Sequence, residues 1–362
     1  MFLAFGEIMA RIAPPDQLRW RQSLPGSVNI TWGGGEANVC ASLAMLGHET
    51  RYLTALPRTP IAEAVVSTLR GLGVDCDHIL WRKEGRLGLY FVEAGANQRG
   101  STVIYDRADS AVSLAGPDEY DFDKVLAGVF WLHVTGITPA ISEPACRANL
   151  ALVKAAKTSG ASVSCDLNFR KKLWTWRPGT LAAALARECM SQVLPHVDLV
   201  IANEEDAADV LGMHAKGTDV TSGRIDAAAY SDVARQIVER FPQVRRVAIT
   251  LRESISADHN NWGALLYDAG TDRAYLAPLD GQSEYRPYEI RDIVDRVGAG
   301  DSFAAGLLCA LNTPELAAPD RAIAFATAAS CLKHSIHGDF SYVTREEVLA
   351  LMQGNASGRV QR

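Results

Sequence analysis

Residues 295–308, DRVGAGDSFAAGLL, place three positions of almost no bulk, Gly298, Ala299 and Gly300, directly before an Ala/Phe/Leu run of helical character. A small-residue turn at a helix start leaves several backbone N–H groups unpaired and pointing outward in a positive field. Such a turn suits a phosphate, or the charge that builds on one during transfer. Asp301, at the same turn, is placed to take a proton from a hydroxyl that attacks that phosphate. An aspartate is also among the best helix N-caps and needs no catalysis to explain it. No G-x-x-x-x-G-K-[ST] occurs, so any phosphate cradle here is not of the Walker type.

A second patch, Gly33-Gly34-Gly35-Glu36-Ala37-Asn38, precedes the first helix-like stretch. Consecutive glycines let a backbone approach a ligand closely, and Asn38 can donate and accept hydrogen bonds to vicinal hydroxyls. A flexible turn with an Asn cap is the plainer reading. Asp166, Asn168 and Arg170 alternate at the end of an expected strand, which sends them to one side if the strand pattern continues; alternation by chance in a loop is the alternative. Arg107 and Arg170 each present a planar fork that fits a carboxylate, while Tyr90 and Tyr105 can pack against a carbon chain and offer a hydroxyl. Arg107 can equally pair with Asp106 or Asp109 on a solvated strand.

The elements that must position these groups read as α/β. Short β-like runs at 50–56, 129–134, 161–166, 199–202 and 246–251 alternate with helix-like stretches at 38–46, 61–72, 143–159, 206–211, 227–240, 301–310 and 317–334. This rhythm predicts a doubly wound, mostly parallel sheet covered by helices on both faces. Residues 12–32 and 87–112 lack a helical period, alternate apolar and polar positions and are broken by Pro and Gly. They predict antiparallel strands of a small β-sheet lid, inserted twice into one domain spanning 1–362, over the carboxyl ends of the parallel strands. Residues 215–227 and the tail after 354 read as loop and frayed end.

With 362 residues, 48% hydrophobic and 22% charged, the chain has enough core for one large domain and an appendage. A net charge of -6 argues against nucleic acid or an anionic membrane as partner. The seven cysteines are dispersed without C-x-x-C spacing, which argues against a disulfide framework or structural zinc. The first ten residues carry Glu7 and lead at once to Arg11 and Pro14-Pro15, unlike a secretory signal, and the expected address is the cytoplasm.

Taken together, Gly33-Gly34-x-x-x-Asn38 and Asp295-x-x-Gly298-Ala299-Gly300-Asp301 resemble the two signatures of the PfkB, or ribokinase-like, sugar kinases, with the family's order kept across the chain by 166–170 and 203–206. Gly88-Leu89-Tyr90-Phe91 and Tyr105-Asp106-Arg107 are similar to the sugar-acid grip of 2-keto-3-deoxygluconate kinases. The resemblance implies ATP-dependent phosphorylation of that acid at C6. In it Asp301 is the base, Arg170 and the 298–300 turn hold the phosphoryl charge, and Gly33, Gly34, Asn38, Tyr90, Tyr105, Arg107, Arg170 and Asp339 lie around the sugar. It further implies nucleotide contacts from Asn168, Asn203, Thr250, Arg252, Gly298 and Gly300, and Mg2+ held through water near Asp206. A monovalent cation near Asp295 is also implied. Apart from the resemblance, the open strand edges of a two-part lid predict a homodimer or higher assembly. The sequence departs from the family at Asp206, where Glu is usual, at Arg296, at Thr250-Leu251-Arg252-Glu253 with its polar insert 252–261, and at Phe325. Another acceptor (fructose, a related deoxy-keto sugar acid, a nucleoside) and a non-catalytic sugar-acid sensor are the competing readings.

Overall fold

Apolar β-rich runs assemble into a ten-stranded sheet in a computed structural model that describes residues 1–203, 205–213 and 227–354. From one edge the order is Arg273–Ala277, His259–Asp268, Arg246–Ser256, Leu199–Ala202, Ser162–Asp166, Trp131–Thr135, Phe2–Phe5, Thr50–Leu53 and Val74–Asp75, with Tyr288–Ile290 paired on His259–Asp268. The seven strands from Arg246–Ser256 to Val74–Asp75 are parallel, and the hairpin formed by Arg246–Ser256 and His259–Asp268 is antiparallel.

Alternation explains the two layers. Along Leu199–Ala202 all four side chains are buried, yet Val200 and Ala202 join one core while Leu199 and Ile201 join the other. The first core is closed by Glu143–Thr158, Ala182–Val193 and Ala227–Arg240, the second by Gly35–Met45, Ala299–Leu311 and Pro319–Lys333. Gly35–Met45 and Ala299–Leu311 lie side by side, so the two glycine-bearing helix starts face one space.

The lid is a separate four-stranded sheet in the order Asn29–Gly33, Met9–Ala13, Gly88–Glu93, Thr102–Asp106. It begins at Met9 rather than 12, and its central pair, Met9–Ala13 on Gly88–Glu93, is parallel, not antiparallel. The reason is topological: each of these strands enters from the core layer in the same direction, which a local hairpin pattern does not reveal.

Other expectations need correction. The run 50–56 splits into Thr50–Leu53 in the main sheet and Ala55–Pro57, which pairs with Leu80–Arg82. Phe2–Phe5, which sits between Thr50–Leu53 and Trp131–Thr135, is too short to announce itself by period. The polar insert 252–261, whose role the sequence leaves open, extends the Arg246–Ser256 and His259–Asp268 hairpin. Glu204, residues 214–226 and the tail after 354 lie outside the described residues. Among the described residues no helix is long and apolar enough to cross a membrane.

Candidate active site

Above the carboxyl ends of the parallel strands, under the lid, lies a cavity of about 330 Å³. Its walls include Gly34, Asn38, Tyr90, Tyr105, Arg107, Asn168, Arg170, Asn203, Asp206, Thr250, Arg252, Gly298, Ala299, Gly300, Asp301 and Asp339, residues spread over more than 300 positions of sequence. Gly33 stands behind the wall. A Cβ there would meet the Asp339 carboxylate at 2.1 Å and the Tyr90 hydroxyl at 2.6 Å, so this glycine makes room for the pair rather than for a ligand.

The helix Ala299–Leu311 starts two residues earlier than its apolar period suggests. Gly298 is the N-cap, with φ +84 in the left-handed region that glycine alone enters freely. Asp301 is therefore not the cap but sits in the first turn. Its Oδ2 accepts from Asn38 Nδ2 at 2.7 Å, and Asn38 Oδ1 accepts from the Gly34 N–H at 3.3 Å. One asparagine thus joins the two glycine signatures. Burial, opposed by the Asn38 bond and reinforced by Asp339 and Glu36, pushes the Asp301 carboxyl up to about 7. A carboxylate near neutrality is matched to accepting a proton at neutral pH.

Replacing Asn38 by alanine removes the bond that holds this value down, so the acid limb of the kcat/KM profile should move to higher pH. A hydrogen bond to a charged group contributes about 1.5–3 kcal/mol, so kcat should fall about tenfold to a hundredfold. Steady-state rates from pH 5.5 to 9 check both effects.

Arg107 does not pair with Asp106 or Asp109. It is buried, its Nε donates to Glu7 Oε2 at 2.6 Å, and its Nη2 approaches the same oxygen. Asp106 takes Arg86 instead. Glu7 fixes the fork and neutralises much of its charge, while the Arg107 guanidinium lies 5.7 Å from the centre of the Tyr105 ring. The Tyr90 hydroxyl donates to Asp339 Oδ2 at 2.5 Å, and Arg11 Nη1 donates to Asp339 Oδ1 at 3.0 Å. Asp339 is 4% exposed and belongs to the cavity wall. Its carboxyl is raised by burial and held back by Arg11. Asp295, expected beside a monovalent cation, has its oxygens on Arg11 Nη1 at 2.7 Å, the Gly338 N–H at 3.1 Å and the Val297 N–H at 3.0 Å.

Asp166, Asn168 and Arg170 do converge on the cavity, but not by strand alternation. The strand ends at Asp166, and Asn168 takes φ +37 with its N–H on Asp166 Oδ1 at 3.1 Å. Arg170 is exposed at the mouth, its Nη1 on the Phe169 carbonyl. Asp206 closes two turns, accepting from the Phe169 N–H at 2.9 Å and the Asn203 N–H at 3.1 Å. Burial raises Asp166 well above the usual carboxylate range, and the charges of Asp206 and Asp301 add to it. Among the described residues no three His, Cys, Asp or Glu side chains form a cage for a metal. Two buried carboxylates and the amide of Asn203 on one wall still fit a hard cation that keeps its waters and is shared with phosphates.

Sequence reasoning missed Glu7, Arg11, Glu36, Asn260, Trp262 and His334, of which all but Arg11 line this cavity. Glu36 is 1% exposed and accepts from the Thr135 and Thr138 hydroxyls at 2.7 and 2.8 Å. Its position in a first helical turn reads as ordinary dipole compensation. A lone acid inside the apolar start of the chain was the available signal for Glu7.

Comparison with known proteins agrees with this architecture. Residues 1–341 match the pfkB family of carbohydrate kinases. A 2-dehydro-3-deoxygalactonokinase from Haloferax volcanii is 31% identical over 356 residues, covering 98% of each chain. A 2-dehydro-3-deoxygluconokinase from Thermoproteus tenax is 29% identical over 308 residues, 84% of this chain and 80% of that one. The crystal structure of a 2-dehydro-3-deoxygluconokinase from Thermotoga maritima superposes with a TM-score of 0.87 at 40% identity, covering 98% of this chain and 99% of the other. With its two glycine signatures joined at one carboxylate and matched over nearly its full length, this chain belongs to the PfkB family of carbohydrate kinases.

Proposed function

We propose that the protein transfers the γ-phosphoryl group of ATP to the C6 hydroxyl of 2-keto-3-deoxygluconate, giving 2-keto-3-deoxy-6-phosphogluconate. The observation that carries this reading is the placement of Asp301 in one cavity with the small-residue helix start and the Tyr/Arg face of the lid.

In this reading the acid lies between Gly34, Asn38, Tyr105, Arg107 and Arg170. The Arg107 fork, held by Glu7, donates its remaining N–H groups to the carboxylate, and Tyr105 packs along the carbon chain. Tyr90, with its hydroxyl committed to Asp339, contributes its ring. Asp301 accepts the proton of the C6 hydroxyl as that oxygen attacks the γ-phosphorus in line. The bond to the bridging oxygen breaks, ADP leaves, and the N–H groups of 298–300 with Arg170 hold the equatorial charge. Thr250, Arg252, Asn168 and Asn203 face the nucleotide. Asp166, Asp206 and Asn203 would hold Mg2+ through its waters, and the bound ion supplies charge neutralisation on the phosphates.

The names of the Thermotoga and Thermoproteus relatives support the gluco acid. The name of the Haloferax relative supports a second reading, the galacto epimer as acceptor. Self-association is assigned to the lid, whose outer strands leave Ile30 and Ile104 more than half exposed.

A coupled ADP-release assay with 2-keto-3-deoxygluconate, 2-keto-3-deoxygalactonate, fructose and ribose tests the assignment. The gluco acid should give the highest kcat/KM, and fructose turning over faster than either acid would overturn the sugar-acid reading. Arg107→Leu, run beside it, should raise KM for the acid about a hundredfold, the worth of a charged bidentate contact. Its KM for ATP should stay within threefold.

A further inference from the structure

The insert 252–261 finds a use at the far end of its hairpin. There the tip residues Ala257 and Asp258 meet Asn97, the tip of the lid loop 94–101. The Ala257 N–H donates to the Asn97 carbonyl at 2.7 Å, and the Asn97 N–H donates to Asp258 Oδ2 at 3.1 Å. The two tips therefore exchange a reciprocal pair of bonds although they are about 160 residues apart in sequence.

Each partner is also held by bonds of its own. The lid loop is pinned by the Ala96 and Arg99 backbones bonding each other at 3.0 and 2.9 Å, by Arg99 Nη1 on the Ala94 carbonyl at 2.8 Å, and by the Gly95 N–H on Ser101 Oγ at 2.9 Å. Asn97 itself takes φ +51, a left-handed conformation that asparagine tolerates and that turns its N–H and C=O outward. Across from it, Ser256 Oγ donates to Asp258 Oδ1 at 2.5 Å and fixes the carboxylate.

The same tip also grips the segment that runs into the anion turn. The Ile293 N–H donates to the Asp258 carbonyl at 3.0 Å, and Arg296 Nη2 donates to the Ser256 carbonyl at 3.1 Å and to the Ala257 carbonyl. Gly298 follows two residues later. Arg11 makes a second, inner tie between the lid and this segment through Asp295. A cavity of about 340 Å³ lies between the ties, with Arg11, Ala257 and Arg296 in its wall.

We infer that the 252–261 hairpin tip is a latch that holds the lid of the active-site cavity, by its loop 94–101, against the approach to the 298–300 turn, with Asp258 as its positioning residue. Asp258 touches no reacting atom. Its carboxylate holds the lid and its carbonyl holds the turn, so lid closure and the geometry of the anion turn are set together. The inference rests on the cavity being the phosphoryl-transfer site, but the latch itself can be tested without any substrate.

Asp258→Ala removes the acceptor for Asn97, whereas Asp258→Asn keeps an oxygen there. Trypsin cleavage after Arg99 requires the lid loop to open. It should accelerate about tenfold in Asp258→Ala and stay within threefold of wild type in Asp258→Asn, with the melting temperature unchanged in both. In the kinase assay, Asp258→Ala should raise KM for the sugar acid about fivefold and lower kcat less than that. Cleavage at the wild-type rate in Asp258→Ala overturns the latch whatever the acceptor proves to be. Should Asp258→Ala fail to fold, hydrogen exchange on the wild-type chain decides. The Asn97 and Ala257 amides should be protected together, and exchange of both at the rate of free loop amides overturns the proposal.

Discussion

Asparagine in place of Asp301 should lower kcat about 10³-fold at pH 7.5, while the dissociation constants of sugar acid and ATP change less than threefold. General-base assistance from a placed side chain contributes about 10²–10⁴ to rate, and two carboxylates around Asp301 are engaged elsewhere. Asp339 is committed to Arg11 and Tyr90, and Glu36 to two threonines. Asparagine keeps an oxygen that can accept from Asn38 Nδ2, so the link between the glycine signatures survives and the pocket keeps its shape. Equal losses in kcat and kcat/KM are the mark of an interaction used only in the transition state. Turnover within tenfold of wild type would remove Asp301 from its role.

The same substitution carries a stability signature of opposite sign. The folded Asp301 carboxyl, at about 7, lies above the value of an unfolded aspartate. Its contribution to stability is full below about pH 4 and is lost as pH rises through about 7, because the folded state resists the charge. Asparagine has no such charge. The ligand-free variant should therefore melt a few degrees higher than wild type at pH 8 and match it near pH 4.5, which differential scanning calorimetry at the two pH values resolves. A gain in stability with a loss of turnover is the pattern of a site that holds an unfavourable group for its chemistry.

How much of this was legible in the sequence depends on where each signal is stored. Glycine and aspartate at a helix start are local signals, and Gly298, Gly300, Asp301, Gly34 and Asn38 all reach the cavity as expected. The lid was legible as a break in period, but its parallel central pair was not, since strand direction is decided by a crossover rather than by the strands. Arg107 lines the cavity, but its ion-pair partner was not legible. Its partner Glu7 lies 100 residues away, and spacing offers Asp106 and Asp109 first. Asp295 shows the same limit: its nearest cation, Arg11, is brought in by the lid. The hairpin 252–261 looked like an unexplained insertion because its purpose is a contact with a loop elsewhere in the chain. Local conformation could be read; the long-range charge partners and the tip-to-tip contact could not.

Gly298→Ala should reduce kcat at least a hundredfold and lower the melting temperature by about 5 °C, whereas Gly300→Ala, two residues on, should leave the melting temperature unchanged or slightly higher. Gly298 is constrained twice. Its φ of +84 is costly for any residue with a Cβ, and that Cβ would stand 2.1 Å from the Asp339 carbonyl oxygen, a backbone atom that cannot rotate away. To relieve the clash the 338–339 segment must retreat, which pulls Asp339 from Arg11 and Tyr90 and turns the N–H groups of the helix start away from the phosphoryl position. Losing one such donor costs about 10²–10³ in rate. Gly300 has no neighbour within 4 Å of a Cβ and no positive φ, so alanine there fits the helix and improves its propensity. A hundredfold loss confined to Gly298→Ala ties activity to the shape of the turn and its seat on Asp339. If Gly298→Ala keeps wild-type kcat and melting temperature, the anion turn does not hold the transferred phosphate.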